Sequence, residues 1–434
     1  MTKHRKRGPY EGNILVQGLG PIFSRKEALK QLLYLPETPF DNHIVPKHER
    51  LHYLMSILDL HIPVLEGARI YESIDLMLRQ SYRYRDPRLT ETWRVLSGEY
   101  SGQQIPRAPA MASVVTGHAG TGKTQAILRA LGCYPQQIIV HDNFPQLVGS
   151  HLQVTWLTVD VPASGLSTDL AANLMCAWDD AMAKYAPNLP RRFEPVLAKN
   201  RRDGQKMLDE WRQVALSHFL GVLHLDEIQN FFKLATLKQR RERRSPENTP
   251  ELSIVEDKAL RWILSLLNTW QIPVVISGTP DGVGAMTKRM STTQRISTGG
   301  YHKLAPFPEL SEDELSEDEL SKNEFKNLFF KQLLHYQFVQ KPLKDSPEFR
   351  QLVLELTGGV PRIIIALWVA AHRVAFERRE DSLRLDDFQK AAKTLLAPVM
   401  PAVAALRSGD PELMMHYDDL MPRDDAIWKS IWSF

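Results

Sequence analysis

The feature that most constrains this chain is the run GHAGTGKT at residues 117–124. It fits the pattern G-x-x-x-x-G-K-[S/T] at every position. The apolar run before it, MASVVTG, predicts a strand, and the apolar run after it, TQAILRALGCY, predicts a helix. Glycines let such a loop turn tightly, so that its N–H groups and the N-terminus of the next helix point at phosphate oxygens. The run therefore predicts a loop that binds nucleotide phosphates.

The residue types in and after this loop predict ATP and Mg²⁺ as cofactors. We expect Lys123 to bridge the β- and γ-phosphates and the Thr124 hydroxyl to ligate Mg²⁺. Arg362, at the start of the helix predicted from GGVPRIIIAL, either reaches the nucleotide from a lid or is a solvated helix start. The predicted nucleotide-binding residues are Gly117, His118, Ala119, Gly120, Thr121, Gly122, Lys123, Thr124, Gln125 and Arg362.

A second part of the site is predicted from VLHLDEIQN, residues 222–230, an apolar strand that ends in two acids. Asp226 is expected to hold Mg²⁺, and Glu227 is expected to orient and polarise the attacking water. Such a strand is a weak signal alone, but following a phosphate loop it indicates hydrolysis of a nucleoside triphosphate. Thr279 ends the strand predicted from PVVISGTP, where it is expected to sense the γ-phosphate; the alternative is an ordinary polar strand end before a turn.

Strands alternate with helices from residue 111 to residue 280, which predicts a parallel sheet covered on both faces. We therefore predict an α/β core at residues 106–304. Helical spacing of apolar residues predicts a helical N-terminal region at 1–105 and a helical lid at 305–399, followed by a tail at 400–434. Within the core, LQVTWLTVDV is predicted to form one strand.

Composition excludes several other classes of protein. The formal net charge is +3 with 24% charged residues, so any nucleic-acid site must be a local patch. Cys133 and Cys176 are the only cysteines, too few for a zinc ribbon or a disulfide framework, which predicts a reducing cytoplasm. No apolar segment follows the basic start MTKHRKRG, so we expect neither a signal peptide nor a membrane span.

The order of these motifs resembles that of an AAA+ ATPase, and most resembles the TnsC/TniB group of transposon-encoded regulators. GHAGTGKT, LHLDEIQN, PVVISGTP and GGVPRII carry the resemblance, which covers about residues 40 to 395. It implies a P-loop AAA+ core in a bacterial cytoplasmic protein that assembles with ATP as a ring or helical homo-oligomer on double-stranded DNA. It also implies that the protein links a target selector (TniQ/TnsD-like) to the transposase subunits and hydrolyses ATP to reset or disassemble the complex.

The resemblance implies further site residues. An arginine from a neighbouring subunit should face the γ-phosphate; Arg295 is preferred to Arg289, and an ordinary surface arginine is the alternative. DNA contacts are expected from Lys199, Arg201 and Arg202. A second basic segment, LKQRRERRSPEN at 237–248, is at least as readily explained as a solvated charge run. The tail, with its aromatic residues, either docks a partner or packs on its own lid.

Two other functions stay open from the sequence. One is an AAA+ DNA motor, such as a helicase or a clamp-type loader, in which hydrolysis drives translocation. The other is a P-loop signalling ATPase that does not act on DNA.

Overall fold

The computed structural model describes residues 8–38, 44–98, 108–199, 203–234, 252–255, 257–287, 294–308, 324–410 and 413–414. The strands in these ranges are β1 (Ala112–Thr116), β2 (Ile138–His141), β3 (His151–Val154), β4 (Trp156–Asp160), β5 (Val222–Asp226), β6 (Phe232–Leu234), β7 (Leu252–Ile254), β8 (Val274–Gly278) and β9 (Gly300–Lys303).

The helices before β5 are α1 (Ile14–Gln17), α2 (Arg25–Leu32), α3 (Lys47–Leu54), α4 (Leu65–Tyr84), α5 (Thr90–Leu96), α6 (Lys123–Leu131), α7 (Ser167–Tyr185), α8 (Glu194–Leu197) and α9 (Gly204–Ser217). Those after β5 are α10 (Asp257–Asn268), α11 (Pro280–Thr287), α12 (Lys331–Leu333), α13 (Pro347–Thr357), α14 (Pro361–Phe376), α15 (Leu385–Lys393) and α16 (Met400–Ser408). Short 3₁₀ segments are Met55–Asp59, Ile228–Phe231 and Ala397–Val399, and Glu324–Phe330 is a π-helix.

The centre of the fold is a five-stranded parallel sheet in the order β4–β5–β8–β1–β9. Every residue of β1, β5 and β8 is buried, as expected for inner strands that have helices on both faces. Because all five strands run in the same direction, the carboxyl ends of β1, β5 and β8 lie together at one edge of the sheet. The predicted α/β fold is confirmed, and this edge carries the motifs.

Helices cover both faces of the sheet. On one face α7, α9 and α10 bury the tryptophans Trp178, Trp211 and Trp262, whose rings contact one another at centroid distances of 6.4 and 5.7 Å. On the other face α4 and α6 pack Ile74 and Ile127 into a second core. Aromatic contacts of this kind add to the burial of apolar area and fix how the helices sit on the sheet.

The N-terminal helices contact both the core and the lid. From α4, the Tyr82 hydroxyl donates to the Phe219 carbonyl (3.0 Å) at the entrance to β5. From α3, the buried Arg50 guanidinium donates to the Phe338 carbonyl (2.9 Å) and pairs with Asp381 of the lid. The N-terminal region therefore bridges the two parts of the molecule that carry the predicted nucleotide site.

The lid is a helical bundle around an aromatic cluster. Phe349 of α13 stacks on Trp368 of α14 (5.7 Å) and meets Phe388 of α15 edge-on (4.9 Å). Among the described helices none is by itself long and apolar enough to span a membrane; only α13 and α14 together, bent by 112°, reach that length and composition.

One sequence prediction about strands is wrong. The single strand predicted over LQVTWLTVDV is two strands in different sheets, because β3 pairs with β2 as an antiparallel hairpin while β4 joins the central sheet. Thr155 separates them: its N–H donates to Gln137 (2.7 Å) and its carbonyl accepts from Val222 (3.1 Å), so its backbone serves both sheets. β9, a short edge strand with a single buried residue, is not among the strands predicted from the sequence.

Candidate active site

The phosphate loop connects β1 to α6, and its glycines are required by the backbone. Gly120 and Gly122 have φ of +83° and +91°, the left-handed region that side chains rarely adopt. Gly117 packs against the Leu304 carbonyl, and a Cβ there would lie 2.6 Å from the Thr121 hydroxyl. The sequence therefore closes into a tight turn directly before the N-terminus of α6.

Lys123 is the first residue of α6 and bends back over the loop. Its ammonium donates to the carbonyls of Gly117 (2.8 Å) and His118 (3.1 Å). The positive end of the α6 dipole lies at the same place. A phosphate held by the loop would therefore meet both a lysine and the helix N-terminus, which together form an anion site.

Asp226 is the centre of the second part of the site. One carboxylate oxygen accepts from the Thr124 hydroxyl (2.5 Å), and the other accepts from the Ser277 hydroxyl (2.5 Å) and from the Glu227 N–H (2.9 Å). The structure thus brings together the threonine of the loop and the acid of β5, which are 102 residues apart in sequence.

Donors hold this carboxylate ionised. Burial alone would raise the pKa of Asp226, but His224 and the hydrogen bonds from Ser277, Thr124 and Glu227 outweigh burial and lower the pKa. Burial also lowers the pKa of His224 to about 4, so its ring is neutral at neutral pH. The hydrogen-bond donors are therefore what stabilise the Asp226 charge under those conditions.

His224, which the sequence analysis did not select, supports Asp226 through a chain of hydrogen bonds. Ser277 donates to Asp226, so its oxygen accepts from Nε2–H of His224 (2.7 Å). Nδ1 of His224 then accepts from the Thr158 hydroxyl (2.6 Å). The chain crosses β4, β5 and β8. Its only sequence signal is a single polar residue within an apolar strand.

Glu227 follows β5 in a left-handed conformation, with φ of +56°, which is rare for a residue other than glycine. Its carboxylate accepts from the side-chain N–H of Gln229. The carboxamide oxygen of Gln229 accepts from the Thr279 N–H (3.2 Å). Gln229, which was also missed, therefore connects the predicted base to the predicted γ-phosphate sensor.

Thr279 is 3% exposed, and within the described residues its hydroxyl has no hydrogen-bond partner. An unpaired buried hydroxyl costs stability, and a bound phosphate oxygen or a water would satisfy it. Its position after β8 puts it at the same sheet edge as Asp226 and the phosphate loop.

The donor set fits a nucleotide with Mg²⁺. A hydroxyl and a carboxylate in contact, Thr124 and Asp226, are the hard oxygen ligands that Mg²⁺ takes, and this ion typically completes its shell with water and phosphate oxygens. Over the described ranges there is no cluster of three or more His, Cys, Asp or Glu side chains that would make an all-protein metal site.

The other predicted residues lie further out. The Arg362 N–H donates to the Gly120 carbonyl (3.2 Å), so the first turn of α14 sits on the loop, and the Arg362 side chain is exposed. Gln125 and Ala119 are exposed, and His118 is half-buried.

The predicted assembly and DNA residues are only partly described. Arg295 is exposed on the segment before β9, and Lys199 is exposed after α8. Arg201, Arg202 and Arg289, the basic segment 237–248 and the aromatic tail beyond residue 414 lie outside the described residues.

Residues 107–285 match the family described as an AAA domain. The matched range includes the phosphate loop, the acids that end β5, and β8. Together with the parallel sheet flanked by helices, the match defines an AAA+ ATPase core within this chain. The AAA+ core expected from the motifs is thereby confirmed, with helical segments before and after it in sequence.

Solved structures with a similar chain path include Aeropyrum pernix ORC1 in complex with DNA (TM-score 0.36, 16% identity, 72% of this chain and 65% of that chain). Others are a Walker-type ATPase of Pyrococcus abyssi (0.35, 12%, 74% and 83%) and Drosophila ORC bound to DNA (0.39, 11%, 91% and 75%). This chain thus spans 65% of the length of the archaeal ORC1 chain. At these TM-scores the likenesses carry no functional argument. No curated protein sequence is significantly similar to the chain.

Proposed function

We propose that this protein is an ATP-dependent, DNA-binding regulator of DNA transposition. It oligomerises on double-stranded target DNA with ATP, links a TniQ/TnsD-like target selector to the transposase subunits, and hydrolyses ATP to reset or disassemble the complex. The observation that carries the ATPase part is the single sheet edge where the phosphate loop, Asp226, Glu227 and the Thr279 hydroxyl meet, this hydroxyl having no hydrogen-bond partner in the part of the chain that the structure describes. The motif resemblance supports the transposition part.

The chemistry follows from the positions of these groups. Lys123 and the loop N–H groups bind the phosphates. Thr124 and Asp226 would hold Mg²⁺, which would neutralise phosphate charge. Glu227 orients a water and takes up its proton at the carboxylate. Thr279 donates its hydroxyl hydrogen to the γ-phosphate. Arg295 of a neighbouring copy adds positive charge in the transition state, which makes hydrolysis depend on assembly.

The DNA part of the proposal depends on cations next to the core. Lys199 is exposed after α8, and Arg201 and Arg202 follow one residue further on in sequence. Lysine and arginine that contact the DNA backbone bind without sequence preference and lose affinity steeply as salt rises. We therefore expect DNA binding that is sequence-independent, strongly salt-dependent and stronger with ATP than with ADP.

The substitution Glu227→Gln tests the function directly. The variant should bind ATP and duplex DNA as the wild type does, with hydrolysis slowed by roughly 100-fold or more, because a carboxamide cannot take a proton from water. Electron microscopy with duplex DNA and a non-hydrolysable ATP analogue should show rings or filaments that are absent with ADP. A particle that stays single with both nucleotides would refute the proposal.

The same samples separate the two other functions. Strand displacement coupled to ATP turnover would indicate a motor. Nucleotide-dependent behaviour with no salt-sensitive mobility shift on duplex DNA would indicate a signalling ATPase.

A further inference from the structure

The Gln229 carboxamide contacts two groups that the proposed hydrolysis uses. Its Nε2–H donates to the Glu227 carboxylate, and its Oε1 accepts from the Thr279 N–H (3.2 Å). Gln229 itself is 2% exposed. We propose that Gln229 is a positioning residue, which sets the direction of the Glu227 carboxylate from the end of β8. This inference rests on the proposed function, because it concerns the same hydrolytic step.

Two glycines of the β8–α11 junction hold Gln229 in place. A Cβ at Gly278 would lie 2.8 Å from the Gln229 carboxamide oxygen. A Cβ at Gly282 would lie 2.6 Å from Cβ and 2.7 Å from Cα of Gln229. Any residue other than glycine at positions 278 and 282 would place a side chain against Gln229. Gln229 therefore packs directly against the backbone of these two glycines, and its carboxamide has little freedom to rotate.

The backbone around the glutamine is fixed as well. The next residue, Asn230, donates its side-chain N–H to the Val161 carbonyl after β4 (2.8 Å). At the Thr279 end of the bridge, the Val283 N–H donates to the Thr279 carbonyl (3.1 Å), which connects the end of β8 to α11. Both ends of the bridge from Glu227 to Thr279 are thus attached to rigid elements.

The chemistry of the bridge requires a carboxamide. One end must donate to a carboxylate and the other must accept from an N–H, and glutamine supplies both from one planar group. Glutamate would place a second negative charge against Glu227, and methionine would fill the space with neither function. A base that is free to rotate loses the aligned geometry that hydrolysis needs. A shift of Thr279 when a γ-phosphate binds would move the same bridge and with it the base.

The test compares Gln229→Met and Gln229→Glu with the wild type in steady-state and single-turnover ATP hydrolysis. We expect kcat to fall by roughly 10- to 100-fold, with KM and equilibrium ATP binding within about twofold of wild type. In a Glu227→Gln background, the Gln229 substitutions should cause no further loss, because the positioning role is exerted on the Glu227 carboxylate. A purely structural role would lower both backgrounds alike.

The matched control is Gln153→Met. Gln153 is fully buried on β3, and its carboxamide is also bonded at both ends, to Leu15 (3.0 Å) and His141 (2.8 Å), away from the site. It reports the cost of losing a buried glutamine, and kcat should stay at the wild-type level.

The outcomes separate this inference from the proposed function. Unchanged kcat in both Gln229 variants, a loss that persists in the Glu227→Gln background, or loss of ATP affinity or folding in both variants would overturn the positioning role. Full hydrolysis by Glu227→Gln alone would instead refute the assigned base, and with it the proposed mechanism.

Discussion

His372 makes the stability of the lid dependent on pH. Its ring is fully buried on α14, where Nδ1–H donates to the Trp368 carbonyl (2.8 Å) and Nε2 has no hydrogen-bond partner among the described residues. Burial therefore favours the neutral ring and lowers its pKa from 6.5 to about 4. Because the folded pKa lies below the unfolded value, the contribution is fully present above pH 6.5 and is lost as the pH falls towards 4.

The size of the effect follows from these two pKa values. At full effect the shift corresponds to ~3 kcal/mol of unfolding free energy, and ~2 kcal/mol of it is already lost by about pH 5. Replacing His372 by Leu removes the group that must take up a proton when the lid unfolds. The free energy of unfolding of His372→Leu should therefore fall by ~2 kcal/mol less than that of the wild type between about pH 7.5 and about pH 5.

Urea denaturation at the two pH values, followed by circular dichroism, measures this difference. Burial also lowers the pKa of His61 and His224 to about 4, but both are present in either protein and cancel in the comparison. The matched control is His335→Leu, which removes an exposed histidine from the same lid. Equal pH dependence in His372→Leu and wild type would refute the argument that burial keeps this ring neutral.

Two further substitutions test the site and the lid. Thr279→Val removes a hydroxyl that has no partner among the described residues. Its stability in thermal unfolding should therefore change by less than about 1 kcal/mol, while ATP turnover falls and ATP binding is retained. A large loss of stability would show that the hydroxyl is paired within the protein. Arg50→Met leaves Asp381 without its buried partner and should lower the free energy of unfolding in urea by about 3 kcal/mol; a change below about 1 kcal/mol would mean that solvent screens the pair.

The parts of the site that could be predicted from sequence are those carried by local spacing. A glycine loop between a strand and a helix fixes its own geometry, and parallel strands bring the residues that follow them to one edge. The sequence therefore predicts four site residues without the strand order: Lys123, Thr124, Asp226 and Thr279. The structure places them at the shared end of β1, β5 and β8.

The parts that could not be predicted depend on partners distant in sequence. His224 lies 53 residues from Ser277, and Gln229 lies 50 residues from the Thr279 N–H. No local pattern shows that a polar side chain on an apolar strand will find a hydroxyl on its neighbour. The edge strand β9 is not predicted for a different reason. Only one of its four residues is buried, which leaves too little alternation of apolar and polar residues to indicate a strand.

Asp226, which ends β5, and Glu227, which follows it, are both oriented from the end of β8. Ser277, supported by His224, donates to Asp226, and the Thr279 N–H holds Gln229, which donates to Glu227. Gly278 lies between these two contacts, and a Cβ there would clash with the Ile228 side chain in the 3₁₀ segment that follows β5. Each residue of the segment Ser277-Gly278-Thr279 thus has its own physical role. Ser277 supports the predicted Mg²⁺ ligand, Gly278 permits close approach of the backbone, and Thr279 supports the predicted base. A displacement of β8 relative to β5 would therefore change the hydrogen bonds of both Asp226 and Glu227.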